Sequence, residues 1–164
     1  MRTLTGINEL EKLLIIIASI SLLVIVALSI LGYMSHSGAA YGLVEGRLKQ
    51  CPGRPNCVSS ELVSDAEHYI EPLVYSAGDA AQVLPRLKKI IREMGGSVEV
   101  EKTDYLAATF TSSLFRFVDD LELRIDTDQK TIHLRSASRV GYGDGGVNRK
   151  RVELLKNSFQ LQAD

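Results

Sequence analysis

The longest apolar pattern in the chain is an uninterrupted run near the N-terminus. Residues 13–31 read LLIIIASISLLVIVALSIL, nineteen positions without a charged side chain. As a helix this run is about 28 Å long, at roughly 1.5 Å per residue, which matches the hydrocarbon core of a bilayer. The pattern therefore predicts one transmembrane helix over residues 13–34, after a short N-terminal tail of residues 1–12.

A cleaved signal peptide is the competing interpretation of this run. The apolar part of a signal peptide is usually about 7–15 residues long, although Ser37-Gly38-Ala39 would be an acceptable cleavage site. The greater length favours a retained membrane anchor. Lys12 is the charge nearest to the run, so the positive-inside rule predicts a cytoplasmic tail and an extracytoplasmic, periplasmic domain.

Helical periodicity appears in two later segments. Residues 79–94 have apolar positions at helical spacing, with Asp79 as N-cap, and Pro85 indicates a kink or a later start. Residues 148–162 repeat the pattern, with Asn148 as cap. The inward positions are Val83, Leu84, Leu87, Ile90 and Ile91 in the first segment and Val152, Leu155 and Phe159 in the second.

Alternation of apolar and polar residues predicts two β-hairpins. The first covers residues 97–110, and the second turns at residues 127–130. Placing both apolar sets of the second hairpin on the core face pairs Ile125 with Ile132. The further pairs in this register are Leu123–Leu134, Leu121–Ser136, Glu122–Arg135 and Asp119–Ser138.

This register predicts different roles for two polar pairs. Glu122 and Arg135 would face outward as a cross-strand ion pair, worth about 0.2–1 kcal/mol. Asp119 and Ser138 would face inward, where an unpartnered carboxylate is costly. The whole pattern predicts an α+β fold: a small antiparallel sheet of about four strands in two hairpins, packed by two helices and preceded by one N-terminal transmembrane helix. Residues 35–49, rich in Gly, Ser and Ala, would be a linker, and residues 50–164 the soluble domain.

Charge and composition narrow the classes of partner. Nineteen Lys and Arg oppose twenty Asp and Glu, so no nucleic acid partner is predicted, because such proteins usually have a basic excess. The three His are scattered along the sequence, and we predict neither a metal site nor a cofactor.

The only two cysteines, Cys51 and Cys57, enclose two prolines and a glycine. Such a segment must turn, and in an oxidising compartment a disulfide that closes the loop is the favoured interpretation. Two alternatives are weaker. A zinc site would have only His68 nearby as a further ligand, and redox pairs usually have two residues between the cysteines.

Polar residues concentrate between residues 116 and 151. Arg149 and Arg151 fall in the first turn of the last helix, the wrong end for cations in the helix dipole unless they meet an anion. We therefore predict a patch that binds an anionic lipid headgroup or an acidic protein partner. The equally favoured alternative is that the same residues lock loop, strand and helix together. The candidate residues are Asp119, Asp120, Ser136, Ser138, Arg139, Tyr142, Asp144, Asn148, Arg149 and Arg151.

A serine-dependent hydrolase of the envelope is the less favoured alternative. It would take its nucleophile, base and orienting acid from Ser, His and Asp side chains, but the sequence has no G-x-S-x-G elbow. We therefore lean toward a protein that is not an enzyme. The candidates for a triad are Ser59, Ser60, Ser136 or Ser138, with His68 or His133, and Asp119 or Asp120.

Four motifs together resemble an uncharacterised bacterial and plastid family, domain of unknown function 1499. They are CPGRPNCVSS at 51–60, RFVDD at 116–120, RSASRVGYGD at 135–144 and GVNRKR at 146–151. The resemblance covers roughly residues 50 to 160. It implies a membrane-anchored or envelope-associated protein and no established reaction.

Overall fold

A computed structural model describes residues 8–61, 63–76 and 81–161. Within these residues the chain forms three helices and eight strands. The helices are α1 Glu9–Ser35, α2 Val83–Glu93 and α3 Val147–Leu161. The strands are β1 Leu43–Val44, β2 Arg47–Leu48, β3 Cys57–Ser59, β4 Leu73–Val74, β5 Ser97–Glu101, β6 Tyr105–Thr111, β7 Val118–Asp126 and β8 Thr131–Ser138.

Helix α1 contains the long apolar run and extends beyond it at the N-terminal end. Asn8 caps the helix, since its side chain accepts from the Glu11 amide while the Glu11 carboxylate accepts from the Asn8 amide. The helix is long and apolar enough to cross a membrane. Its first turn includes part of the predicted tail, of which residues 1–7 lie outside the described residues.

The main sheet has six strands instead of the predicted four or so. Its order is β3-β8-β7-β6-β5, and β4 also pairs with β8. The predicted register of β7 and β8 is confirmed at every pair, from Asp119↔Ser138 to Ile125↔Ile132. Strands β3 and β4 escaped prediction because they have three and two residues, too few for an alternating pattern to develop.

One face of the sheet carries the main core beneath α2 and α3. Side chains of alternating residues on β6, β7 and β8 pack there, as the period of two requires. The central members are fully buried: Leu106, Leu121, Leu123, Ile132 and Leu134 from the sheet, and Leu87, Ile91, Val152 and Leu155 from the helices.

The opposite face is also covered, contrary to the prediction that it meets solvent. Residues 35–49, expected to be a linker, contain the β1–β2 hairpin, and Leu48 packs there on Tyr105. Glu122 and Arg135 are consequently only 0% and 2% exposed. Their pairing was predicted correctly, but the outward position was wrong because a Gly- and Ser-rich segment covers them.

The helix boundaries bear on two predicted caps, one of which falls on residues that the structure does not describe. Helix α2 begins at Val83, the later start that Pro85 indicated, and Asp79 lies outside the described residues. At α3 the capping side chain is Asp144, which accepts from the amides of Gly146 and Asn148. Asn148 lies inside the helix and is buried, so its predicted role as cap is wrong.

Candidate functional site

The residues predicted for the polar patch meet where β7 begins and β8 ends. Because side chains alternate across a sheet, the strands divide these residues between two faces. Asp119, Ser136 and Ser138 lie on the face that carries α3, whereas Asp120 and Arg139 lie on the face covered by residues 35–49. The single predicted patch is therefore two separate groups.

The group on the α3 side is organised around the buried side chain of Asn148. Its Oδ1 accepts from the Ser136 hydroxyl at 2.6 Å. Its Nδ2 donates to Ser138 Oγ at 3.0 Å, to Asp144 Oδ2 at 2.8 Å and to the backbone carbonyl of Asn56 at 3.1 Å. The amide is thus saturated by its own chain, and it ties α3 to the end of β8 and to the cysteine loop.

The two arginines at the start of α3 also have intramolecular partners. Arg151 Nη2 donates to Asp119 Oδ2 at 2.7 Å, so the inward carboxylate has the cation that its burial requires. Arg149 donates to the backbone carbonyls of Tyr69 and Glu67 at 3.0 and 2.7 Å. These contacts account for the cations at the helix start without an external anion.

The group on the opposite face borders a cavity of about 480 Å³. Asp120 and Arg139 form a two-pronged ion pair there, with 2.7 Å from Arg139 Nη2 to Asp120 Oδ1 and 3.0 Å from Nε to Oδ2. Arg139 Nη1 also donates to the backbone carbonyl of Ser35, the last residue of α1. The polar residues that line this cavity are Tyr41, Arg54, Asn56, Asp120, Arg135, Ser138 and Arg139.

Arg135 is the most deeply buried cation of this cavity. Its Nη1 donates to Glu122 Oε2 at 2.8 Å, and the Tyr41 ring lies 5.2 Å from its guanidinium carbon. The other oxygen of Glu122 accepts from the Tyr105 hydroxyl at 2.7 Å and from the Gly42 amide at 2.9 Å. Burial, together with that carboxylate, raises the pKa of Tyr105 well above its ordinary value. Arg135 Nε, in contrast, is buried and has no hydrogen-bond partner among the described residues.

Arg54 adds a second available cation at the same cavity. It lies on the exposed part of the cysteine loop. The Cys51–Cys57 disulfide closes this loop, so the predicted pairing of the two cysteines is confirmed. Among the residues that the structure describes, no carboxylate forms an ion pair with it. An isolated guanidinium beside a cavity can bind a carboxylate or phosphate through two parallel hydrogen bonds.

His68 holds the backbone of the cysteine loop through a hydrogen bond to the carbonyl of Arg54. Its Nδ1 lies 2.7 Å from Asp65 Oδ2, and its Nε2 lies 3.0 Å from the carbonyl oxygen of Arg54. Both partners are acceptors, so both hydrogen bonds form together only when both ring nitrogens carry a proton, that is, in the imidazolium form. Burial alone lowers the pKa of His68, but the hydrogen bonds to Asp65 and to the Arg54 carbonyl outweigh it and raise the pKa above 6.5.

Stability should therefore fall as His68 loses its proton. A raised folded pKa means that the contribution is fully present below the unfolded pKa and is lost as pH rises through the folded pKa. We expect the free energy of unfolding of the wild type, measured by urea denaturation in detergent micelles, to decline through that window. His68→Ala should lack this component of the decline. Identical pH profiles for the two proteins would rule out the imidazolium.

The residues proposed for a hydrolytic triad do not assemble. Ser60 Oγ lies 3.3 Å from His133 Nδ1, but Ser60 is buried and its Oγ already accepts from the Leu134 amide. His133 pairs with Arg124 in the sheet, five positions along β7 from Asp119, which is about 17 Å at roughly 3.4 Å per residue. His68 has both ring nitrogens engaged.

Four polar residues of the cavity were not predicted from the sequence, namely Tyr41, Arg54, Asn56 and Arg135, and one predicted loop residue does not belong to it. Arg54 was visible in the cysteine loop, but nothing in the sequence brings it to β8. Arg135 was assigned to an exposed face, and Tyr41 to a linker. Tyr142 is 72% exposed on the glycine-rich loop and does not line the cavity.

Fold and cavity together define an antiparallel α+β domain that follows directly on a single apolar N-terminal helix. Residues 47–159 match the family described as Protein of unknown function (DUF1499), and the chain belongs to this family. The match confirms the resemblance that the four motifs carry. A comparison with curated proteins gave no match.

Proposed function

We propose that this protein is a non-catalytic binding module of the cell envelope, anchored by α1, whose arginine cavity holds an oxyanion. The oxyanion is the phosphate of a lipid headgroup, or the carboxylate of an acidic protein partner. In this arrangement α1 crosses the bilayer and the domain lies outside the cytoplasm. The observation that carries the proposal is the Arg54 guanidinium, which forms no ion pair among the described residues, on the same cavity as Arg135, whose buried Nε–H has no acceptor among them.

The charges around the cavity favour an anion. Three guanidinium groups, those of Arg54, Arg135 and Arg139, oppose the carboxylates of Asp120 and Glu122, which leaves one net positive charge. Arg139 donates from Nε and Nη2 to Asp120 and from Nη1 to the Ser35 carbonyl, so its charge is paired within the chain and it frames the cavity. Arg54 keeps all its side-chain donors, and the buried Arg135 Nε–H, which has no acceptor among the described residues, costs about 1–3 kcal/mol until an acceptor reaches it.

The position of the cavity favours a lipid headgroup as the source of the oxyanion. Arg139 contacts the carbonyl of Ser35, and Gly38 and Ala39 line the cavity. Ser35 follows the apolar run by four residues, about 6 Å along a helix. The headgroup layer on each side of a bilayer has a comparable thickness, about 5–7 Å.

Arg54→Gln should reduce the retention of anionic lipid. The test uses full-length protein reconstituted in nanodiscs that contain phosphatidylglycerol and phosphatidylcholine, released into the gas phase and analysed by native mass spectrometry. We expect the wild type to retain phosphatidylglycerol selectively and Arg54→Gln to lose about tenfold in selectivity. A charge-assisted hydrogen bond contributes about 1.5–3 kcal/mol, and the exposed position of Arg54 favours the lower end of that range. Arg47→Gln is the matched control, because Arg47 is also exposed and unpaired among the described residues but lines a different cavity, beside Gln129.

Equal lipid retention by wild type and Arg54→Gln would show that the oxyanion is not a lipid headgroup phosphate. In that case, capture in mild detergent of a protein that binds wild type and the Arg47→Gln control but not Arg54→Gln would identify an acidic partner. Failure of both arms would contradict an anion site at this cavity.

A further inference from the structure

A second, apolar groove of about 380 Å³ lies between α1 and the edge of the domain. On one side it is lined by Leu28 and Leu31 of α1, and on the other by Phe117, Val140 and Val147. Its walls come from two loops, residues 112–117 and 139–146, and from the first residue of α3. The groove and the arginine cavity lie on opposite faces of β7 and β8 and share only Ser138 among the residues that line them.

The polar residues at the groove are turned to partners within the chain. Asp119 is paired with Arg151, and Ser138 accepts from Asn148. Ser112 Oγ accepts from the amide of Phe117. Because these polar groups are paired within the chain, the accessible surface of the groove consists mainly of apolar side chains.

The depth of the groove along α1 can be read from the apolar run. Leu28 and Leu31 form the last turn of the charge-free run 13–31. The domain residues that face them across the groove therefore lie level with the end of that run. If the run fills the hydrocarbon core, these residues lie at the edge of the core. The domain does not have to tilt toward the membrane to bring them there.

The loop is held at this level by close contacts with α1. A Cβ on Gly32 would lie 1.8 Å from the carbonyl oxygen of Phe115, so the backbones touch. His36 Nε2 lies 2.9 Å from the carbonyl oxygen of Arg116, and Ser35 Oγ accepts from the amide of Val118. The 112–117 loop cannot move away from the membrane without breaking these contacts.

Exposed side chains around the groove have the composition of a membrane interface. Leu114 is 79% exposed at the tip of the loop, and Arg116 follows two residues later. Tyr33 on α1 is 79% exposed and Tyr142 on the second loop 72% exposed. Tyrosines and cations beside apolar side chains are typical of the zone between headgroups and hydrocarbon.

We propose that residues 112–117 and 139–147 lie in the membrane that α1 crosses, with a lipid acyl chain in the groove between these loops and α1. This inference rests on the part of the proposed function that places α1 in a bilayer, but not on the arginine cavity. The domain is then seated in the surface of the membrane, and its orientation is fixed by both the anchor and the loops. Hydrocarbon chains of the same bilayer are the occupant because the groove is continuous with the lipid-facing surface of the helix.

The chain contains no tryptophan, so single tryptophans report depth without background. Leu114→Trp probes the loop, and Ile20→Trp, 56% exposed in the middle of α1, probes the anchor. Val74→Trp is the remote control. Val74 is 69% exposed and pairs with Thr131, which is opposite Asp126 at the far end of β7, about 27 Å from Val118 at roughly 3.4 Å per residue.

In liposomes that contain brominated phosphatidylcholine, we expect Leu114→Trp to lose most of its emission. The loss should be greater with bromine near the headgroup than with bromine near the chain end. Ile20→Trp should show the opposite depth preference, and Val74→Trp should keep its emission. Quenching of Ile20→Trp with a Leu114→Trp signal like that of Val74→Trp would overturn the inference while leaving the anchor intact, and would indicate that protein covers the groove. A lack of quenching at Ile20→Trp would overturn both.

Discussion

Arg135→Met is expected to lower the free energy of unfolding by about 3–5 kcal/mol, because it leaves a buried carboxylate without its cation. Glu122 is fully buried, and its ion pair with Arg135 is 2.8 Å long. The Tyr105 hydroxyl and the Gly42 amide would still donate to Glu122, but neither carries a compensating charge. Urea denaturation of the full-length protein in micelles measures the loss.

The double variant Glu122→Leu/Arg135→Met separates the ion pair from the packing of these two positions. Replacing both members of a buried pair with apolar side chains is often neutral or stabilising. Glu122→Leu also removes the acceptor of the Tyr105 hydroxyl and the Gly42 amide, so the double variant should recover only part of the lost stability. A single variant as stable as the wild type would show that residues 35–49 do not exclude water from this face of the sheet.

Gly32→Val is expected to separate α1 from the domain. Any side chain at this position meets the Phe115 carbonyl oxygen, only 1.8 Å from the site of a Cβ. If the helix moves, the buried Val118 amide loses the Ser35 hydroxyl as its acceptor. Such a loss costs about 1–3 kcal/mol, which corresponds to roughly 5- to 150-fold faster hydrogen exchange at that amide.

Ala27→Val is the matched control for this experiment. It adds a β-branched side chain to the same helix at an exposed position. Exchange at the Val118 amide should equal that of the wild type in the control. Unchanged exchange in Gly32→Val would contradict direct docking of the helix end on the domain.

The central hairpin was predictable because its apolar residues allow only one register. Shifting β8 by one residue would move Ile132 and Leu134 from the core face to the other face, and the structure has the predicted pairing. Helix α2 was predictable because its apolar residues recur at helical spacing. This amphipathic stripe was a stronger signal than the proline at the start of the helix.

The covered second face was beyond sequence reasoning because its cover has no apolar periodicity. Residues 35–49 pack through only a few apolar side chains, such as Leu48, and through hydrogen bonds such as Gly42 N–H to Glu122. The arginine cavity depends on that cover. Tyr41 and Arg135 are far apart in sequence, and no local pattern predicts their contact.

The predicted polar patch shows how local patterns mislead about ligands. Arg151 looked unpaired because its partner, Asp119, lies on a strand 32 residues earlier. Arg54, in contrast, was not predicted as a site residue. It is nevertheless the cation at the cavity that lacks a carboxylate partner among the described residues. The donors that are available to a ligand belong to the cations that the fold leaves unpaired. Which cations these are depends on tertiary contacts, and a local sequence pattern does not show them.

The most direct test of the central claim follows the arginine Nε–H signals of the full-length protein by NMR in zwitterionic micelles. Titration with short-chain phosphatidylglycerol, and separately with inorganic phosphate, distinguishes a lipid headgroup from a free anion. We expect saturable shifts of the Arg54 and Arg135 Nε–H signals with the lipid, and none for Arg124, whose Nε donates to Glu61. Unchanged Arg54 and Arg135 signals at saturating lipid and phosphate would contradict an anion site in the cavity.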